Sequence, residues 1–223
     1  MSEYQYYEFQ AIDHPLTAEE MRKLRSYSTR ARITPTSFVN DYSWGSFKGA
    51  EGKWMERYFD AFMYHANWGT HILKLRLPSS LLDAKTANEH CSGESVFVQE
   101  KAGRVILSFI SEDLEEGNYE EDEWNLSSLI SVRTELARGD LRALYLGWLL
   151  CVQNLELEDE DVEPPVPPGL GELSASLNSL ADFLCIESDL LEVAAQSSPS
   201  LQRSTLDRGC SGLDSEASAS GEG

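Results

Sequence analysis

Residues 33–78 read ITPTSFVNDYSWGSFKGAEGKWMERYFDAFMYHANWGTHILKLRLP and carry ten of the chain's twenty-two aromatic side chains. A segment so rich in large apolar area has to be buried against something, which makes it the heart of the fold. Within it, residues 36–44 alternate, with Phe38, Asn40, Tyr42 and Trp44 on one side and Val39 and Asp41 on the other, as a strand does. Gly45 and Gly49 break that strand. From residue 53 to 67 the apolar positions Trp54, Met55, Tyr58, Phe59, Phe62, Met63 and Ala66 recur at three- and four-residue spacing, which predicts an amphipathic helix. Asn67-Trp68-Gly69 then reads as its stop, with Gly69 taking a left-handed conformation. Residues 71–77 alternate again and end at Pro78, as a strand with one buried face.

Outward from this block, residues 4–12 are an alternating, Tyr- and Phe-rich strand closed by Asp13-His14-Pro15. Thr17-Ala18-Glu19-Glu20 has the pattern of a capping box and opens a helix. Residues 95–100 and 104–111 flank Lys101-Ala102-Gly103 and read as a hairpin. A further buried helix is expected over 141–155, with Leu141, Leu144, Tyr145, Trp148 and Leu155 in its stripe. This order predicts an α+β fold, a mixed sheet with helices packed on one face, near the ferredoxin-like group.

The chain has 223 residues and a formal charge of −20. Residues 1–100 hold eleven Lys/Arg and thirteen Asp/Glu, a net of −2, so −18 falls on residues 101–223. Such a balance argues against direct binding to nucleic acid, whose affinity for proteins comes from Lys and Arg neutralising phosphates, and against anionic membranes. The opening MSEYQYYEFQ lacks a basic, then apolar leader, and no apolar run reaches the length that spans a bilayer, so a cytoplasmic protein is expected. Cys91, Cys151, Cys185 and Cys210 show no paired spacing and are read as free thiols, without disulfides or a zinc knuckle.

Two segments are strongly acidic: residues 112–123, read as an exposed loop, and 156–163, which precede Pro164-Pro165-Val166-Pro167-Pro168. The domain expectation is therefore a core over 1–156, an extended acidic Pro-rich linker over 157–169, a short helical module over 170–196 and a disordered tail over 197–223. Helices too short to be stable alone have to pack on the core or on another protein, so Leu173, Leu177, Leu180 and Phe183 are the expected partner-binding residues.

No nucleotide loop, metal-ligand run or nucleophile motif is present, and no cofactor is implied. The catalytic candidates are Asp60, His65 and His71, with Trp44, Asn67 and Trp68 as ligand-binding walls beside them. The alternative is that Asp60 simply pairs with Arg57 while His65 and Asn67 cap a helix. Arg30, Arg32, Lys48 and Arg76 are a candidate anion pocket, weighed against a solvated rim.

The segments ITPTSFVNDYSWGSFKG, MERYFDAFMYHANWGT and LRLP, with YYEFQAIDHPLTAEEM, ALYLGWLLCVQN and VEPPVPPGLGELSASLNSLADFLCIESDLL, resemble a family of uncharacterised bacterial cytosolic proteins over residues 1–196. The resemblance brings no reaction, cofactor or partner with it. It implies further helical sequence where this chain passes into LQRSTLDRGCSGLDSEASASGEG, which leaves a truncation or altered reading frame as a hypothesis. The leading functional expectation is a non-enzymatic protein-interaction module. The alternatives are a small-ligand binder or enzyme with a pocket near Asp60, His65 and His71, and an acidic neutralising partner of a basic protein.

Overall fold

The computed structural model describes residues 3–43, 45, 47–91, 93–112, 124–158 and 160–201. Seven strands, β1 Gln5–Gln10, β2 Arg32–Thr34, β3 Ser37–Tyr42, β4 Ala61–Ala66, β5 Thr70–Pro78, β6 Val96–Lys101 and β7 Arg104–Glu112, form one sheet in the order β2-β3-β1-β4-β5-β7-β6. The helices are α1 Ala18–Arg25, α2 Glu51–Arg57, α3 Ala84–Asn88, α4 Leu126–Leu129, α5 Ser131–Ala137, α6 Arg142–Gln153, α7 Ala175–Phe183 and α8 Ser188–Ser197. The α+β class holds. Every strand pairing is antiparallel, however, so the sheet is not mixed.

Both faces of the sheet are covered, not one. On the first, Phe9, Phe38 and Phe62 meet Leu24 of α1 and Trp54 and Met55 of α2 in an aromatic core. It is filled by ring contacts, with Phe9 and Phe62 centroids 4.4 Å apart and Phe38 edge-on to Trp54 at 4.9 Å. On the second, Met63, Leu73, Leu75, Leu107 and Phe109 meet the helices α4 to α8.

The covering of both faces explains the main correction. The helix expected over residues 53–67 is two elements: α2 ends at Arg57, and β4 follows after Tyr58, Phe59 and Asp60. In a strand covered on both sides the apolar residues run on without alternation, and β4 is buried at Ala61, Phe62, Met63, Tyr64 and Ala66. Such a run cannot be told from a buried helix by spacing. Gly69 does take a positive φ of 87°, but in the β4–β5 hairpin, where a three-residue loop ends in a left-handed residue. The β6–β7 hairpin turns on Ala102 and Gly103, with φ of 52° and 72°, the two-residue turn that matches strand twist.

The capping box of α1 forms as read, with Thr17 Oγ1 accepting from Glu20 N at 3.2 Å and Glu20 Oε2 accepting from Thr17 N at 2.8 Å. Trp44, the acidic stretch 113–123, Cys210 and the tail from 202 onward lie outside the described residues.

Candidate functional site

Asp60 and the two histidines do not converge. Asp60 precedes the first residue of β4, and His65 lies five residues further along it, about 17 Å in an extended strand. Asp60 is 1% exposed and its partner is Arg76, not Arg57: Arg76 Nε and Nη2 donate to Asp60 Oδ1 at 3.0 and 2.6 Å. Its other oxygen accepts from Ile12 N at 2.7 Å and Asp13 N at 2.9 Å, which pins the chain leaving β1. The site is thus an internal clamp, in which a buried carboxylate has both a cation and two backbone donors. Of the cations expected beside Arg76, Arg32 does not join it. Arg32 lies on the edge strand β2, four strands away and so about 19 Å across the sheet.

At the opposite end of β4, His65 sits directly across from His71 on β5. Their side chains point to the face covered by α4–α8, where Tyr6 of β1 tilts against His65 at 5.2 Å. His71 is 5% exposed, stacks on Phe183 at 4.9 Å, and has its Nδ1 3.8 Å from Cys185 Sγ. Cys185 follows α7 with φ 55°, a left-handed capping position usually filled by glycine; Ile186 N donates to Ala181 O and Cys185 N to Asp182 O, each at 3.0 Å. Sulfur and imidazole are within hydrogen-bonding reach, and 114 residues separate them, so no spacing in the sequence announces the contact.

Burial, with His71 second, pushes the His65 imidazole down to about 4 from its ordinary 6.5, so it is neutral at pH 7. The unfolded chain binds this proton more readily than the folded one. Stability from His65 is therefore complete above pH 6.5 and declines as pH falls toward 4. His65→Gln is expected to flatten that decline, measured by urea unfolding at several pH values across the window. An unchanged slope would show that His65 is solvated in the folded state.

Asn67 and Trp68 occupy the β4–β5 turn. Asn67 Oδ1 accepts from Tyr4 N at 2.9 Å and Asn67 N donates to Tyr4 O at 3.1 Å, so Asn67 fastens the turn to the start of β1. Trp68 is 47% exposed.

The four residues expected to grip a partner are used by the chain itself. Leu177, Leu180 and Phe183 are fully buried in the core beneath the sheet, and Leu173 packs against it. Between the two outcomes open to a short amphipathic helix, packing on its own core is the one found. The Pro-rich segment is not a solvated spacer either, since Pro164 and Pro167 are buried and Tyr145 donates its hydroxyl to Glu163 at 2.6 Å. Arg142 binds beyond it, its Nη1 donating to Gly169 O and Glu172 O at 3.1 Å each.

What remains outward is acidic. From 143 to 201 the sequence holds eleven Asp or Glu and no Lys or Arg. Nine of these acids are exposed among the described residues, and no salt bridge there involves them. Glu156 is the inward exception, its carboxylate accepting from Ser95 N at 2.9 Å and Ser95 Oγ at 2.5 Å. The same stretch exposes Leu155, Val162 and Val193 at 90%, 82% and 62%. The run without cations was visible in the sequence, but its position on the outside of the helical layer depends on α7 turning its apolar side inward.

Among the described residues there is no group of His, Cys, Asp and Glu that could hold a metal ion, Cys91 and Cys151 are free thiols, and no helix is long and apolar enough to cross a membrane. Compared with known proteins, the chain matches no family model, no curated protein and no solved structure.

Proposed function

We propose that this chain is a non-enzymatic binding protein of the bacterial cytoplasm that docks a basic protein on the acidic outer surface of its helical layer. The observation that carries the reading is the 59-residue stretch 143–201, which folds onto the sheet with nine exposed carboxylates among the described residues and no Lys or Arg of its own. A field of one sign draws an oppositely charged partner and raises its association rate, and exposed Leu155, Val162 and Val193 supply apolar contact once it arrives. The apolar face of α7 takes no part, because it is already inside.

Affinity capture from a native lysate tests this. A basic partner is expected to be retained at about 0.05 M salt and released at about 0.5 M, where the screening length is several ångströms. Recovery of a neutral or acidic partner whose retention ignores salt would overturn the reading.

A further inference from the structure

At the end of the sheet remote from His65, a depression of about 300 Å3 is lined by His14, Glu20, Glu56, Arg57, Arg76 and Arg104. It gathers arginines in a chain whose net charge is −20. We propose that this depression binds a phosphoryl group, free or carried on a small molecule, through Arg57, Arg76 and Arg104.

The geometry supplies the reasons. Arg76 is held rigidly: Nε and Nη2 grip Asp60, and Nη1 donates to Glu56 O at 2.9 Å. A guanidinium has five N–H donors, so two remain for a ligand. Arg104 shares its carboxylate: Asp13 takes Arg104 Nη1 at 2.9 Å on one oxygen and Arg133 Nη2 at 2.7 Å on the other, so one negative charge faces two positive ones. Burial pulls the Asp13 carboxyl upward, but the two guanidiniums hold it below its ordinary value, so it stays charged and keeps both in place. Arg57 forms no described salt bridge, feels the Glu20 carboxylate only at longer range, and lies over the Tyr58 ring at 5.2 Å.

Two acids also face the depression. Glu56 is neutralised by Lys101 at 2.5 Å, and Glu20 is turned to Thr17, whose backbone N–H and hydroxyl it accepts at 2.8 and 2.9 Å. A planar fork of fixed donors suits a tetrahedral oxyanion. The acidity of the rest of the surface is screened beyond about 8–10 Å at ordinary salt, so the local arginines decide.

Isothermal titration with inorganic phosphate and with phenyl phosphate is the test, in chloride buffer on the full chain. Saturable binding of either is expected, weakened at least about tenfold by Arg57→Gln and by Arg104→Gln, and untouched by Arg138→Gln at the end of α5. Arg57 is exposed, is in no described salt bridge and touches the core only by lying over the Tyr58 ring, so its substitution is expected to leave the fold intact even where that of Arg104 does not. Tighter binding of phenyl phosphate than of phosphate would identify an esterified ligand. No saturable heat with either probe, or binding that Arg57→Gln leaves unchanged, would overturn the proposal.

Discussion

Replacing Asp60 with alanine is expected to lower folding stability by about 3–5 kcal/mol, because it strands a charge inside the protein. The Arg76 side chain is 9% exposed and Asp60 supplies its counter-charge. Removing one member of a buried pair leaves the other without compensation, and here the backbone N–H groups of Ile12 and Asp13 lose their acceptor as well. Domains of this kind have only about 5–15 kcal/mol in total, so the variant should unfold at markedly lower urea. The double change Asp60→Leu with Arg76→Met replaces the pair with apolar volume and should recover much of the loss. A cost for Asp60→Ala below about 1 kcal/mol would mean that water enters the clamp.

Phe183→Ala is expected to cost a similar amount, about 3–5 kcal/mol, and to shift the whole unfolding transition rather than a part of it. Phe183 is fully buried, stacks on His71 at 4.9 Å and meets Trp124 edge-on at 5.4 Å. It therefore joins α7 to β5 and to the segment before α4. Tryptophan fluorescence and far-ultraviolet circular dichroism should move together to lower urea. A first, small transition followed by an unaltered main one would show that residues 170–196 fold as a separate module.

These two residues also mark what the sequence could disclose. The alternating strands β3 and β5, and the β6–β7 hairpin, were legible because alternation and the Ala-Gly turn are local signals. The capping box of α1 was legible for the same reason. The division of 53–67 was not, because β4 is apolar on both sides and its residues happen to continue the spacing set by Trp54, Met55 and Tyr58. The helices α4 and α5 were not legible although Leu129, Val132 and Leu136 have helical spacing, since at four and seven residues they are too short for that spacing to repeat. The partner of Asp60 was misjudged for a different reason: spacing favours Arg57 within a helix, and only the pairing of β4 with β5 brings up Arg76.

The acidic surface depends on this packing. Had α7 offered its leucines outward, an apolar dock would follow; with those leucines in the core, every charged side chain that 143–201 exposes is a carboxylate, beside the apolar Leu155, Val162 and Val193. Long-range attraction of this kind acts mainly on the rate of association and is lost with charge rather than with shape.

The measurement that tests the account most directly compares the wild type with a variant in which Glu158, Glu160, Glu187 and Glu192 are changed to Gln and Asp182 and Asp189 to Asn. All six are exposed, so the fold is expected to be unaffected. Association with the captured partner at low salt should slow by about tenfold or more. Equal association rates for the two proteins, with both folded, would contradict the claim that the acidic helical surface is where this chain binds.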